Sequence, residues 1–262
     1  MPSVVNKTSK FAEKLQRLYR GSASAMGFRK SAETESAPLL LVASLTKTGL
    51  TEANALATAG IDAGVVGVKG LSAKSLGQLI EAMGDVPIGL SLESTEKDVI
   101  AKSIDLGYDF VLFGLKTPFE AVRRKEGLGR VLKIEASLEP GLARAVNGLP
   151  LSLDAVLVAG DEATITIERL LIYQRFAELL DKPLLAALTS MITADELNGL
   201  FEAGVNGLVL PEGLSAEAVA DLKKAVGGLS RTAKRKIRAA ALLPRLGGEI
   251  ETGVEEEEEE DI

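Results

Sequence analysis

The chain contains no cysteine, no histidine and no tryptophan. Without thiols there is no disulfide framework, no thiolate nucleophile and no structural zinc site of the thiolate type. Without imidazole there is no Ser-His-Asp or Cys-His pair and no histidine-ligated metal, so acid–base chemistry falls to Asp, Glu, Lys or Tyr. Long apolar runs are also missing: none approaches the roughly 20 residues that span a bilayer. The N-terminus carries charged residues where a signal peptide would have its apolar core, so a cytoplasmic protein without a membrane anchor is expected.

Aromatic residues make up 4% of the chain and hydrophobic residues 46%, so the core must be built from small aliphatics. That balance suits helices packed on buried parallel strands. The formal charge of −7 argues against general nucleic-acid affinity. The acidic run from Glu255 to Asp261 accounts for that charge by itself, which leaves the rest of the chain near neutral.

At 262 residues the length allows one large core or two smaller domains, and the pattern decides. From Pro38 to Val226 short aliphatic runs alternate with amphipathic helical stretches, the βαβα signature of a parallel sheet. The strand candidates are Pro38 to Thr46, Asp62 to Lys69, Val86 to Glu93, Tyr108 to Lys116, Arg130 to Glu139, Asp154 to Asp161, Pro183 to Ser190 and Val205 to Leu210. Helix starts are marked by Thr51 with Glu52 after Gly49, Ser72, Ser94 and Thr95 with Glu96, Thr193 with Asp195 and Glu196, and Ser215 with Glu217. Gly60, Gly84, Gly107 and Gly204 close the preceding helices.

The even strands open on similar phrases: Gly60-Ile61-Asp62-Ala63, Gly107-Tyr108-Asp109-Phe110, Leu153-Asp154-Ala155 and Gly204-Val205-Asn206-Gly207. Strands one, three and seven open instead on Pro38-Leu39, Pro87-Ile88 and Pro183-Leu184. An alternation that recurs after two βα units fits a closed (β/α)8 barrel, the TIM-barrel architecture, better than an open doubly wound sheet.

Three segments follow: an N-terminal helix and linker (1–37), the barrel (38–229), and a basic segment with an acidic tail (230–262). The helix candidate, Ser9 to Arg20, has Phe11, Leu15 and Leu18 on one face and Lys10, Lys14 and Arg17 on another. Such a helix can bind a membrane or an acidic partner; packing over the N-terminal mouth of its own barrel is the expected role. Residues 230–238 are basic and 239–246 apolar, and the acidic run after them reads as a solvated, disordered tail. The acidic tail could also fold back on Lys234, Arg235, Lys236 and Arg238, or reach those of another subunit, so a homo-oligomer stays open.

In this architecture the active site lies at the C-terminal ends of the strands. On strand five Lys133, Glu135, Ser137 and Glu139 share one face, with Leu132, Ile134, Ala136 and Leu138 on the other. The apolar face must meet the helices, so the polar one points inward. The same parity turns Ser44, Thr46, Lys69, Ser91, Glu93, Lys116 and Asp161 inward, which predicts an ionic interior rather than a dry one. Lys133, Glu135, Lys116, Glu93, Lys69 and Asp161 are the catalytic candidates, with Lys133 and Glu135 as the first pair. A buried ion pair without catalysis is the alternative role for that pair.

The last two units, Thr189-Ser190-Met191-Ile192-Thr193-Ala194-Asp195-Glu196 and Ala203-Gly204-Val205-Asn206-Gly207-Leu208-Val209-Leu210-Pro211-Glu212-Gly213, resemble the phosphate-binding barrels. That group includes tryptophan- and histidine-pathway isomerases and small aldolases, in which backbone N–H groups at the ends of strands seven and eight hold a phosphate. The resemblance places Thr189 and Ser190 in a substrate-binding role, beside Ser44, Thr46, Ser91 and Ser137. Pro211 lacks an N–H and Glu212 repels an anion, so the chain resembles a divergent member with a degraded phosphate motif. It is also similar to class I aldolases, whose Schiff-base lysine is on strand six. Ala155 to Ala159 hold no lysine there, and Lys133, Lys116 or Lys69 would have to substitute.

The expected activity is that of a lyase or isomerase acting on a small carbonyl or oxygen-rich metabolite. Lys133 or Lys116 would serve as Schiff-base amine or electrophile, with Glu93 or Glu135 carrying protons. The alternative is an inactive barrel that binds or assembles with partners through its tails. No cofactor is expected. Mg²⁺ is not excluded, since Glu93, Glu135, Glu139, Asp161 and Glu212 offer oxygen ligands, but no spacing motif singles out a site. Nucleic-acid binding ranks last, because the basic segment Ser230 to Arg238 has no aromatic platform beside it.

Overall fold

The computed structural model of the chain describes residues 8–20, 37–67, 72–92, 97–123, 125–160 and 162–229. Eight parallel strands, β1 (Leu40–Ser44), β2 (Ala63–Gly67), β3 (Ile88–Ser91), β4 (Phe110–Gly114), β5 (Gly129–Ile134), β6 (Ala155–Val158), β7 (Leu184–Ala187) and β8 (Gly207–Leu210), close in chain order into a barrel. Leu40 of β1 pairs with Gly207 of β8 to complete the ring. Followed once around the ring, the pairing register returns eight residues along β1 from its start, the stagger of an eight-stranded (β/α)8 barrel.

A helix α1 (Lys10–Arg20) precedes the barrel, and a helix follows every strand: α2 (Leu50–Thr58), α3 (Ala73–Met83), α4 (Lys97–Asp105), α5 (Phe119–Arg123), α6 (Pro140–Ala145), α7 (Ile167–Leu179), α8 (Ala194–Glu202) and α9 (Ala216–Gly227). Ser72, Thr193 and Ser215 accept backbone N–H groups of Ser75, Glu196 and Ala218, as their positions predict. At α2 the prediction needs correction: the helix begins at Leu50 with Gly49 as its N-cap, so Thr51 lies inside the first turn. Thr166 caps α7 by accepting from Arg169, a cap the sequence reading did not assign. Ser94, Thr95 and Glu96 lie outside the described residues. Gly60 and Gly204 leave their helices at φ +95° and +98°, where a side chain would be strained.

Alternation along the strands sorts side chains into two cores. Outward residues such as Leu41, Val111, Leu132, Val156 and Leu208 meet the helices. Inward residues fill the barrel in layers of four taken from alternate strands. From the N-terminal end, the register stacks Ala63, Phe110, Ala155 and Gly207, then Val42, Gly89, Val131 and Leu185, then Val65, Leu112, Leu157 and Val209. Gly89 is small because the Phe110 ring occupies the space its side chain would need.

The inward face is therefore the one parity predicts, but the ionic interior is not: among the described residues these layers are wholly apolar. The strands end earlier than their sequence pattern suggests, β5 at Ile134 and β4 at Gly114. Most polar positions of that parity thus fall beyond the closed part of the barrel, where water relieves the cost of burying charge.

The repeated Asp or Asn before each even strand also has a structural role. Asp62, Asp154 and Asn206 each accept, through the side chain, the backbone N–H of Leu41, Arg130 and Leu184 on the preceding strand (2.9, 2.8 and 3.0 Å). Their own N–H groups donate to the carbonyls of those same residues, so each neighbouring pair of strands is tied twice. Asp109, the fourth member, turns its carboxylate away from the sheet. It accepts from Ser9 Oγ (2.7 Å) and from the backbone N–H groups of Lys10 (2.9 Å) and Phe11 (3.0 Å). These hold the start of α1 against the N-terminal mouth, where Phe11 stacks on Phe110 with ring centroids 4.2 Å apart and Leu15 is fully buried. The packing role expected of this helix is the one it has.

Burial pushes the Asp154 carboxyl above its ordinary range, against the opposing pull of the Arg130 N–H and the charges of Arg130 and Lys182. A raised native pKa means that the residue's contribution is fully present below the unfolded pKa of about 4 and is lost as pH rises through the native value. Asp154→Asn keeps an acceptor for the Arg130 N–H, as Asn206 shows, and removes the buried charge. The variant is expected to melt at or above the parent temperature at pH 7 and to lose that advantage near pH 3. Thermal denaturation at both pH values checks this, and a lower midpoint at pH 7 would count against it.

Candidate functional site

Above the three apolar layers the next inward positions are Ser44 on β1, Ser91 on β3, Lys133 on β5 and Ala187 on β7. This fourth layer forms the floor of the C-terminal mouth. Ser44, Ser91 and Ala187 are half-buried and Lys133 is exposed. The layer beneath is aliphatic, so the lysine stem can lie over apolar surface while its ammonium rises into water. The inward positions that follow are Gly67, Gly114, Ala159 and Pro211, small enough to keep the mouth open around Lys133. Gly114 is the register partner of Lys133 on β4 and Leu157 its partner on β6.

The fold thus brings three of the sequence candidates, Ser44, Ser91 and Lys133, into one ring. Thr46, Lys116, Glu135 and Ser137 follow the ends of β1, β4 and β5 and are exposed on the rim. Thr46 Oγ1 accepts the Gly67 N–H (3.2 Å), which ties the first two strand ends together. Among the described residues no hydrogen bond or ion pair joins Lys133 to Glu135. The Glu135 carbonyl accepts from Leu138 N–H in the turn that leads to α6. Lys69, Glu93 and Asp161 lie outside the described residues.

Thr189 and Ser190 follow β7, and their hydroxyls donate to the carbonyls of Glu162 and Ala163 in the loop after β6. Other contacts fix the same loop. Glu196 Oε1 accepts the Ile165 N–H (3.1 Å) while Oε2 accepts the Thr193 N–H (2.8 Å). These N–H donors hold the Glu196 carboxyl below its ordinary range. The buried Arg169 donates to the Ala159 carbonyl, and its guanidinium sits 5.5 Å from the centre of the Tyr173 ring. At the end of β8, Glu212 pairs with Lys47 at 3.1 Å across the loop after β1.

Sequence reading missed the loop-fixing roles of Arg169 and Glu196. Thr193 and Glu196 have capping-box spacing, which signals the cap but not the second loop it holds. Arg169, four residues before Tyr173 on the buried face of α7, carried a helical-periodicity signal. Of the carboxylates considered for Mg²⁺, Glu93 and Asp161 lie outside the described residues, and among the described residues no group of three or more His, Cys, Asp or Glu side chains is placed to hold a metal ion. No helix among the described residues is long and apolar enough to cross a membrane.

No protein-family model matches the chain, and no curated protein matches it. Solved structures do resemble it. N-(5'-phosphoribosyl)anthranilate isomerase from Pyrococcus furiosus is 14% identical over 73% of this chain and 100% of that one, with a TM-score of 0.57. A mutant tryptophan synthase α-subunit from Pyrococcus furiosus is 15% identical over 73% of this chain and 96% of that one, with a TM-score of 0.54. FabK from Thermotoga maritima is 18% identical over 66% of this chain, which spans 58% of the FabK chain, with a TM-score of 0.48. At these identities the likeness is one of fold.

Proposed function

We propose that this protein is a barrel enzyme, a lyase or isomerase, that acts on a small carbonyl or oxygen-rich metabolite at its C-terminal mouth. One observation carries the reading: Lys133 is the charged member of an inward ring that also holds two hydroxyls, Ser44 and Ser91, directly above a dry interior. Barrels of this fold place their chemistry at this end, and two of the barrels it resembles are an isomerase and a synthase subunit.

The Lys133 amine would attack a substrate carbonyl and lose water to form an iminium, which draws electrons from the neighbouring carbon. Ser44 and Ser91 would offer hydrogen bonds to substrate oxygens, and Glu135 on the rim would carry a proton. The apolar layer below closes the site to anything deeper, which favours a short substrate.

Sodium borohydride trapping with a panel of short aldehydes, ketones and 2-oxo acids tests this. A reduced adduct confined to Lys133, absent from Lys133→Met, is expected by peptide mass spectrometry. An absence of adduct on Lys133, Lys116 and Lys69, or equal labelling of every surface lysine, would overturn the imine chemistry.

A second reading, a barrel that binds or assembles with partners, is favoured by the loop after β6: it engages the hydroxyls of Thr189 and Ser190, while Pro211 offers no N–H to a phosphate. On that reading partner capture would need the chain termini and would survive Lys133→Ala and Glu135→Ala.

A further inference from the structure

Glycine weakens a strand, because it fixes a flexible backbone and packs nothing in return, so a strand glycine marks a bulge or a place where something approaches the backbone closely. No strand glycine of this barrel has a positive φ, so backbone conformation requires none of them. For all but one, a neighbour takes the room. A Cβ on Gly64 would meet Leu45, on Gly67 Thr46, on Gly89 Phe110, on Gly129 Ser9 and on Gly207 Leu185, each at 3.4 Å or less. Gly114, the last residue of β4, is different: beyond its two chain neighbours, a Cβ there would find no atom of the described residues within 4 Å. Among those residues the fold leaves this room unfilled.

The register places the room beside the reactive amine. Gly114 is an inward position one layer above Ser91 and Lys133, on the strand between them. The room therefore opens between a hydroxyl and an amine, and among the described residues no hydrogen bond takes up the Ser91 hydroxyl. On the other flank of Lys133 the inward residues are Ala159, just after β6, and Ala187 on β7, which offer only methyl groups. A carbonyl carbon held at the Lys133 amine thus has a polar, empty side toward β4 and a small, apolar side toward β7.

We propose that Gly114 sets the specificity of the Lys133 site, its room receiving an oxygen-bearing substituent next to the substrate carbonyl while a short alkyl group lies toward Ala187. The inference rests on the imine reading of Lys133 and adds the substrate class: ketones with a carboxylate or hydroxymethyl group on one side and a short alkyl group on the other. Either substituent brings an oxygen to the Ser91 hydroxyl, and a side chain at position 114 would exclude both.

Borohydride trapping on the full chain with pyruvate, hydroxyacetone, butanone and acetaldehyde tests this, each rate divided by that on Nα-acetyl-lysine. The Lys133 nitrogen bonds to the carbonyl carbon, the carbonyl oxygen leaves as water, and hydride from borohydride reduces the iminium to a secondary amine. The Lys133 adduct should form about tenfold faster with pyruvate or hydroxyacetone than with butanone, the discrimination a site gains from one hydrogen-bonding group. The faster of the two assigns the substituent as carboxylate or hydroxyl. Gly114→Val should abolish the preference, while trapping of acetaldehyde, which can put a hydrogen on that side, is unchanged. Gly114→Ala, which adds only the Cβ, should melt at or above the parent temperature. Equal rates with the three ketones, a preference that survives Gly114→Val, or an equal loss with acetaldehyde would overturn the role of Gly114 and leave the imine standing. So would a lower melting temperature for Gly114→Ala, because the room would then belong to the packing. An absence of Lys133 adducts from the parent with every carbonyl would overturn the imine reading and this inference with it.

Discussion

Phe11→Ala is expected to cost about 3–5 kcal/mol of stability, the range for deleting a buried Phe ring. In a chain of this size that lowers the melting temperature by roughly 10 °C. The ring is 1% exposed and stacks on Phe110 in the lowest interior layer, so its removal opens a cavity under the barrel floor as well as releasing α1. Ser9, the N-cap of α1, donates to Asp109 and accepts the Ala12 N–H (3.1 Å), so cap and anchor are one network. Asp109→Ala should therefore destabilise in the same direction, and the two changes together should cost less than their sum because both undock one helix. Chemical denaturation of the two single variants and the double variant checks this. A Phe11→Ala midpoint equal to the parent's, or full additivity, would show that α1 contributes nothing cooperative to the barrel.

Gly160→Ala is the second change with a large expected effect. A Cβ at this position would overlap the Ala187 carbonyl of β7. That strand is locked by its pairing of Ala187 with Val209 and by the Leu188 N–H donated to Val209 (2.9 Å), so the loop after β6 must move instead. Its displacement breaks the hydrogen bonds from Thr189, Ser190 and Arg169 together. A loss of about 3 kcal/mol is expected, the upper part of the range for overpacking. Amide exchange in residues 162–165 should accelerate more than exchange in β1 or β5. Because Ala159 and Ala187 line the mouth, adduct formation at Lys133 should also fall. A variant within 0.5 kcal/mol of the parent with an unchanged exchange pattern would show that the loop accommodates the methyl, and the contact would then be of no consequence.

Much of this arrangement is written in local sequence. The alternating aliphatic and amphipathic segments, and the phrase that recurs after two βα units, determined eight parallel strands in a closed ring, because buried parallel strands need β-branched and small aliphatic residues and crossover helices between them. Period-two alternation determined which face of β5 carries Lys133, since the apolar face has only the helices to meet. The apolar stripe of Phe11, Leu15 and Leu18 likewise determined that the first helix packs on the barrel.

The tertiary structure decided where each strand leaves the ring, and that changed the site. Glu135 and Lys133 alternate correctly, yet β5 ends between them at Ile134, so one stands on the floor of the mouth and the other on its rim. Strand ends depend on which neighbours remain to accept hydrogen bonds, information spread over segments dozens of residues apart. The same holds for the recurring Asp. Asp62, Asp109 and Asp154 follow the same kind of signal, but Asp109 alone is turned to α1, because that helix, nearly a hundred residues earlier in the chain, brings three donors to it. Thr189 and Ser190 look alike as free hydroxyls in sequence, and only the folded loop after β6 supplies the carbonyls that engage them. Composition and periodicity determined the barrel and the inward face of Lys133; chain closure, which brings distant donors and acceptors together, decided which polar groups are left to face a substrate.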